Sequence, residues 1–258
     1  MTKLFAALML TFFSLSAHAA IITKSIEYKD GDTVLQGFLA YDGSGKKVRP
    51  GVLVFHEWTG LSDYEKGRAI QLAKLGYVAF AADIYGKGIH AKDMKEAGSL
   101  ATKYKSDRKL FRSRVNAALA VMREQKNVDP KQIAAMGYCF GGTATLELAR
   151  SGAEILGAVS FHGGLDTPTP EDAKNIKAKV LVLHGAEDPI VTAQQVSDFE
   201  KEMRDGKVDW QLVKYANAVH SFSNPKSGSD PSKGVAYNKQ ADLRSWEEMK
   251  SFYHEIFN

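Results

Sequence analysis

The sequence predicts an α/β fold, with a mainly parallel sheet, helices on both faces and an antiparallel N-terminal edge. Three observations predict it. Apolar runs of strand length, such as "GVLVF", "YVAFAA" and "KVLVL", alternate with amphipathic helical segments. Such runs lack polar alternation because parallel strands are buried on both faces, and the intervening helices provide the cover. The first two strand-like segments, by contrast, have no helix between them, which makes them antiparallel neighbours. With 258 residues, 44% of them hydrophobic, the chain is long and apolar enough for one large core.

The first segment, "MTKLFAALMLTFFSLSAHAA", stands apart from this pattern. One lysine precedes an apolar run from Leu4 to Leu10 that continues through Phe12 and Phe13. Ala17-His18-Ala19 then supplies the small residues favoured at a cleavage site. This is the pattern of a secretory signal over residues 1–19. The alternative, an uncleaved anchor, needs roughly 20 apolar residues, more than this core holds. The expectation is a single mature domain over residues 20–258, periplasmic or secreted, with no stable membrane association after cleavage. The net charge of +4 is spread along the sequence, which gives no case for nucleic-acid binding.

The mature chain opens with "IITKSIEYK" and "DTVLQGFLAYD", joined at Asp30-Gly31-Asp32, a hairpin signal. Gly51–Phe55 is the first fully buried strand. A helix follows from Ser62, a suitable N-cap, to the stop at Gly76. Then come the strand "YVAFAADIYG", a polar Lys-rich segment from Lys87 to Arg108, and the amphipathic helix "KLFRSRVNAALAVMREQ". The alternation continues through the strand Gln132–Tyr138, the helix "GGTATLELARSG", the strands "ILGAVSFHG" and "AKVLVLHG", and the helix "TAQQVSDFEKEMRDG". The strand "DWQLVKY" and a helix within Asp242–Ile256 complete it, with a turn-rich loop over residues 224–234.

The one cysteine, Cys139, lies in "GYCFGG". An unpaired cysteine in an exported protein is either a reactive thiol or a small buried hydrophobe. Gly137-Tyr138-Cys139-Phe140-Gly141 is the cysteine form of the G-x-S-x-G nucleophile elbow, placed between a strand and a helix as that turn requires. Glycines two residues either side permit close backbone approach, and the helix start favours a thiolate over a thiol. A triad on this topology needs an acid and then a base downstream. Asp188 follows the strand in "KVLVLHGAEDPIV", and His220 follows the last strand in "WQLVKYANAVHSFS". In that order, Cys139 is the candidate nucleophile, His220 the base and Asp188 the group that fixes the imidazole tautomer.

With "VLVFHEWTGL", "AADIYG", "GYCFGG", "LVLHGAEDPIV" and "AVHSF", the chain resembles the dienelactone hydrolase (carboxymethylenebutenolidase) family over nearly its whole mature length. The resemblance implies an α/β-hydrolase fold and a Cys-Asp-His triad. It also implies that Glu57 holds the resting cysteine turned away until substrate displaces it; a salt-bridged structural glutamate is the alternative. The oxyanion hole would be the backbone N–H groups of Trp58 and Phe140. Trp58, Tyr85 and Phe222 are either pocket or ordinary core, and Ser221 keeps the family pattern beside His220. Two family arginines that bind a substrate carboxylate align with Lys87 and Asn224, which weakens one cation and removes the other.

The implied activity is cysteine-dependent hydrolysis of a small-molecule ester or lactone through a thioester, with no cofactor. The departures at Lys87 and Asn224 put a neutral substrate at least level with an anionic one. A non-catalytic protein, a thioesterase or a peptidase on the same scaffold are the alternatives. His56, His162 and His184 sit near strand ends without metal-ligand spacing and are expected to be structural, so no metal is expected.

Overall fold

The computed structural model describes residues 20–44 and 47–258. The expected signal segment, residues 1–19, lies outside the described residues. Strands β1 (Ile21–Asp30) and β2 (Thr33–Asp42) form the antiparallel hairpin, with Asp30 opposite Thr33. Gly31 takes φ +58° in the two-residue turn, which a glycine adopts without steric cost. Strands β3 (Arg49–Phe55), β4 (Val78–Ala82), β5 (Val128–Tyr138), β6 (Gly157–Phe161), β7 (Lys179–Gly185) and β8 (Trp210–Tyr215) are mutually parallel. The sheet order is β1-β2-β4-β3-β5-β6-β7-β8, with β2 antiparallel to β4.

Successive strand residues face opposite sides, so the sheet divides the core in two. Leu53 and Phe55 of β3 join one apolar cluster, while Val52 and Val54 join the other. Helices α1 (Asp63–Lys74) and α6 (Lys239–Phe257) cover the second, through Leu72, Met249 and Tyr253. The first is covered by α3 (Arg108–Arg123), α4 (Phe140–Arg150) and α5 (Ala193–Asp205), through residues such as Phe111, Leu146 and Phe199. Helix α4 is buried along its whole length, Glu147 and Arg150 included. Arg150 is paired with Glu202 at 2.7 Å and Glu147 at 3.0 Å, and its Nη2 also donates to the Leu165 carbonyl. Those partners are what make a buried guanidinium tolerable.

Three elements differ from the sequence-based expectation. The Lys-rich segment contains a helix, α2 (Met94–Ser106), which buries only Ala97 and Tyr104. Its stripe is thin, but Ala97, Leu100, Ala101 and Tyr104 fall at helical spacing and Asp93 caps the Glu96 N–H, so both helix signals are present among the lysines. Helix α6 begins at Lys239, three residues before the expected start, because Asn238 caps the Ala241 N–H. Strand β5 begins at Val128 rather than Gln132.

The β5–α4 junction depends on close backbone packing. A Cβ on Gly137 would lie 2.0 Å from the Gly141 carbonyl oxygen, whereas one on Gly67 in α1 would meet nothing within 4 Å. Gly137→Ala is therefore expected to destabilise the protein by about 3 kcal/mol through overpacking. Gly67→Ala should stabilise it by about 0.5–1 kcal/mol through helix propensity. Urea unfolding midpoints check both, and equal effects at the two glycines would contradict the packing at the junction.

Candidate active site

Cys139 occupies the turn between β5 and α4 with φ 52° and ψ −114°, a left-handed conformation that is strained for a residue with a Cβ. The turn is held by its neighbours. The Cys139 N–H lies 3.0 Å from the Phe161 carbonyl oxygen and 3.2 Å from His162 Nδ1. Gly141 lets the start of α4 pass against β3, since a Cβ there would sit 2.2 Å from the Phe55 carbonyl oxygen.

His220 follows β8 in a loop tied to residues 234–236 by two backbone hydrogen bonds. Its Nε2 is 3.1 Å from Cys139 Sγ, and its Nδ1 is 2.8 Å from Asp188 Oδ2. The other Asp188 oxygen accepts the Ile190 and Val191 N–H groups at 2.8 and 3.0 Å, which orients the carboxylate. Burial works against charge on Asp188, but the hydrogen bond from His220 and these two N–H groups hold it below its ordinary value. For His220 burial again opposes charge. The sulfur and the Asp188 carboxylate outweigh it and push the imidazole up to about 10. The geometry favours a shared proton between Sγ and Nε2, with the carboxylate behind the ring.

A second imidazole lies beneath this row. His162, fully buried, has its ring centroid 5.4 Å from that of His220. Because Nδ1 accepts the Cys139 N–H, its proton belongs on Nε2, which donates to Ser223 Oγ at 2.7 Å. Burial, reinforced by the neighbouring His220 and Arg68, holds it well below the ordinary histidine value, so it stays neutral. His56 is neutral for the same first reason: burial lowers it, Nδ1–H donates to the Glu57 carbonyl at 2.6 Å, and Nε2 accepts the Ile84 N–H at 3.1 Å. Among the described residues no group of three or more His, Cys, Asp or Glu side chains is placed to hold a metal ion.

Glu57 does not touch the sulfur. Its Oε1 accepts from Ser221 Oγ at 3.0 Å and its Oε2 from Asn224 Nδ2 at 2.7 Å, while Sγ is engaged by His220. This arrangement replaces the implied resting contact between Glu57 and Cys139. Ser221 is thus a partner of Glu57, bonded also to Ser227 Oγ at 2.8 Å, and not a cleft residue. The α1 cap fixes the same loop: Glu65 accepts the Glu57 N–H and Ser62. Burial, and then the Glu65 carboxylate, raise Glu57 to about 7 against the pull of Asn224 and Ser221.

Cys139 and His220 open into a cleft of about 160 Å³, with Trp58, Phe140, Ile190 and Val191 as apolar walls. Among the described residues neither the Trp58 nor the Phe140 backbone N–H has an acceptor. The other expected pocket residues lie elsewhere. Tyr85 is buried behind Trp58, donating its hydroxyl to the Trp58 carbonyl at 2.9 Å and meeting His56 edge-on and Phe140 at a tilt. Phe222 is core, 0% exposed and packed on His162 and Tyr215. Lys87 does not line the cleft and pairs with Glu27 of the edge strand β1 at 2.5 Å. The sequence reading missed Lys105 and Asp166, which line the cleft and pair at 3.0 Å. Lys105 lies on α2, within the Lys-rich segment. Ile190 and Val191 could have been inferred from their place beside Asp188.

Comparison with known proteins bears on this arrangement. The sequence profile of the dienelactone hydrolase family matches residues 38–257. The chain belongs to that family. Among the family's relatives, a protein of Aquifex aeolicus (strain VF5) with the provisional name carboxymethylenebutenolidase is 30% identical over 232 residues, 88% of this chain and 96% of its own. The solved structure of m3DLH has 42% identity, a TM-score of 0.89, and covers 93% of this chain and 100% of its own. The dienelactone hydrolase-like promiscuous phosphotriesterase P91, from metagenomic libraries, has 41% identity, a TM-score of 0.87 and the same coverage. The mixed sheet with helices on both faces is thus an α/β-hydrolase fold.

In this dienelactone hydrolase-family site, the raised Glu57 has a consequence for stability. A carboxyl that binds its proton more tightly when folded adds stability below its unfolded value and loses it as pH rises towards the folded one. The stability of wild type relative to Glu57→Gln should therefore fall by about 2–3 kcal/mol between pH 4.5 and 7, then level off. Urea unfolding of both proteins across that range checks it; a difference independent of pH would contradict a raised Glu57.

Proposed function

We propose that this protein hydrolyses carboxylic esters or lactones through a Cys139–His220–Asp188 triad and a thioester acyl-enzyme. The observation that carries this reading is the position of the His220 ring, with Nε2 at 3.1 Å from Sγ and Nδ1 at 2.8 Å from Asp188. The sulfur, as thiolate, attacks the carbonyl carbon, and the carbonyl oxygen takes the negative charge. Free N–H groups at Trp58 and Phe140 are the available donors to that oxyanion. His220 then gives its Nε2 proton to the departing alkoxide, leaving the acyl group on sulfur. Water attacks the thioester while His220, neutral again, takes its proton; collapse releases the acid and returns the proton to the Sγ–Nε2 pair. Asp188 stays ionised throughout and keeps the ring's Nδ1–H directed away from sulfur.

Nothing in this cycle calls on a cofactor or metal, and no nucleic-acid surface is needed for it. Glu57 supports the loop that carries the Trp58 donor, with His56 and Glu65 bracing the same segment. The N-terminal segment supports export: we assign residues 1–19 as a cleaved signal and residues 20–258 as the mature catalytic domain, in the periplasm or secreted. Among the described residues no helix is long and apolar enough to cross a membrane.

The test is turnover of p-nitrophenyl acetate by residues 20–258. Wild type is expected to be active, and Cys139→Ala and His220→Ala to lose at least about a thousandfold in kcat/KM. Wild-type turnover by Cys139→Ala would overturn the mechanism. Inactivity of wild type towards esters, lactones and thioesters alike would favour a non-catalytic protein on this scaffold. A neutral phosphotriester belongs in the same panel because of the likeness to P91.

A further inference from the structure

We propose that Asp166 sets substrate charge specificity, by holding Lys105 in an ion pair at the cleft wall so that the site selects uncharged esters. This rests on the hydrolase reading above and names its substrate class. Lys105 and Asp166 line the cleft together with Cys139 and His220. Lys105 Nζ lies 3.0 Å from Asp166 Oδ1, and Arg108 lies 2.9 Å from Oδ2. Arg108 is also 3.6 Å from Glu147, a carboxylate already bonded by Arg112 and Arg150, so Asp166 offsets both cations; of the two, only Lys105 lines the cleft.

The loop that presents Asp166 is fixed from below. Thr143 of α4 donates its hydroxyl to the Gly164 carbonyl at 3.0 Å, and Arg108 donates to the Asp166 carbonyl at 3.2 Å. Burial opposes charge on Asp166, but Lys105 and Arg108 outweigh it and keep the carboxylate ionised. The same wall carries the Gln195 amide, whose Oε1 is buried and has no partner among the described residues. A lysine whose charge is offset by a carboxylate, beside an unpaired amide oxygen, attracts a carboxylate-bearing substrate less than a free cation would. With Lys87 turned to Glu27 and Asn224 to Glu57, neither of the aligned arginine positions supplies a cation here.

The pair is a little over one-third exposed, so solvent moderates its field. Removing the Asp166 charge should raise kcat/KM for an anionic ester, relative to a neutral one of the same length, by about three- to tenfold. The substrates are mono-p-nitrophenyl succinate and p-nitrophenyl butyrate, which differ chiefly in the terminal carboxylate.

In wild type the neutral ester should be preferred. Asp166→Asn should move the anionic-to-neutral ratio up, with the gain shrinking in high salt. Lys105→Met should move it down, and Asp166→Asn/Lys105→Met should lose the gain. Because each result is a ratio within one protein, partial misfolding of a variant cancels. A ratio unchanged within twofold in both single variants, with butyrate still hydrolysed, would overturn the proposal and leave the hydrolase reading intact. Failure of wild type to hydrolyse either ester would instead strike at the reading on which it rests.

Discussion

The backbone conformation of Cys139 is the constraint on which the site depends. With φ 52° and ψ −114°, the residue can neither continue β5 nor begin α4, and its side chain leaves the sheet at the strand's carboxyl end. A strained conformation persists only where its surroundings leave no alternative. Here they are the close passage of Gly137 against Gly141, the passage of Gly141 against Phe55, and the Phe161 and His162 acceptors that hold the Cys139 N–H. Each belongs to a different strand or helix, so the fold as a whole sustains the turn. In exchange, the sulfur meets the His220 ring, and the Phe140 N–H, the first of α4, has no acceptor among the described residues.

Around this turn the electrostatics are sorted by hydrogen bonding. Four histidines, His56, His162, His184 and His220, are buried, yet only His220 is set up to carry charge. His56 and His162 each have one ring nitrogen occupied by a backbone N–H donor, which makes that nitrogen an acceptor and fixes the ring as neutral. His220 meets a carboxylate on one side and sulfur on the other, both of which favour its protonated form. A second charged imidazole 5.4 Å away would repel it, so the neutrality of His162 is part of what makes the charge on His220 sustainable.

Much of this was legible in the sequence, for physical reasons. Buried parallel strands must be continuous apolar runs, so β3, β4 and β7 stood out, as did the strand–turn–helix at "GYCFGG". The order Cys139, Asp188, His220 could be read because sites in open α/β sheets gather at strand ends. What escaped was whatever depends on long-range packing. Helix α2 holds several lysines, and which of them reaches the cleft depends on how the helix packs against the body of the protein. Phe222 and Tyr85 are aromatic residues near the triad, and nothing in their local sequence tells a pocket wall from the core behind it. Glu57 was visible as a carboxylate at a strand end, yet its partners, Ser221 and Asn224, come from a loop some 164–167 residues distant.

The central claim is that sulfur 139 becomes covalently acylated with His220 as proton donor and acceptor. Intact-protein and peptide mass spectrometry of residues 20–258, quenched in acid during turnover of an activated acetate ester, tests it most directly. The account predicts one acetyl group per chain, located on the peptide containing Cys139, accumulating in wild type and sharply reduced when His220 is replaced by alanine. Acetyl groups located elsewhere, or none on Cys139 while ester is being consumed, would contradict it.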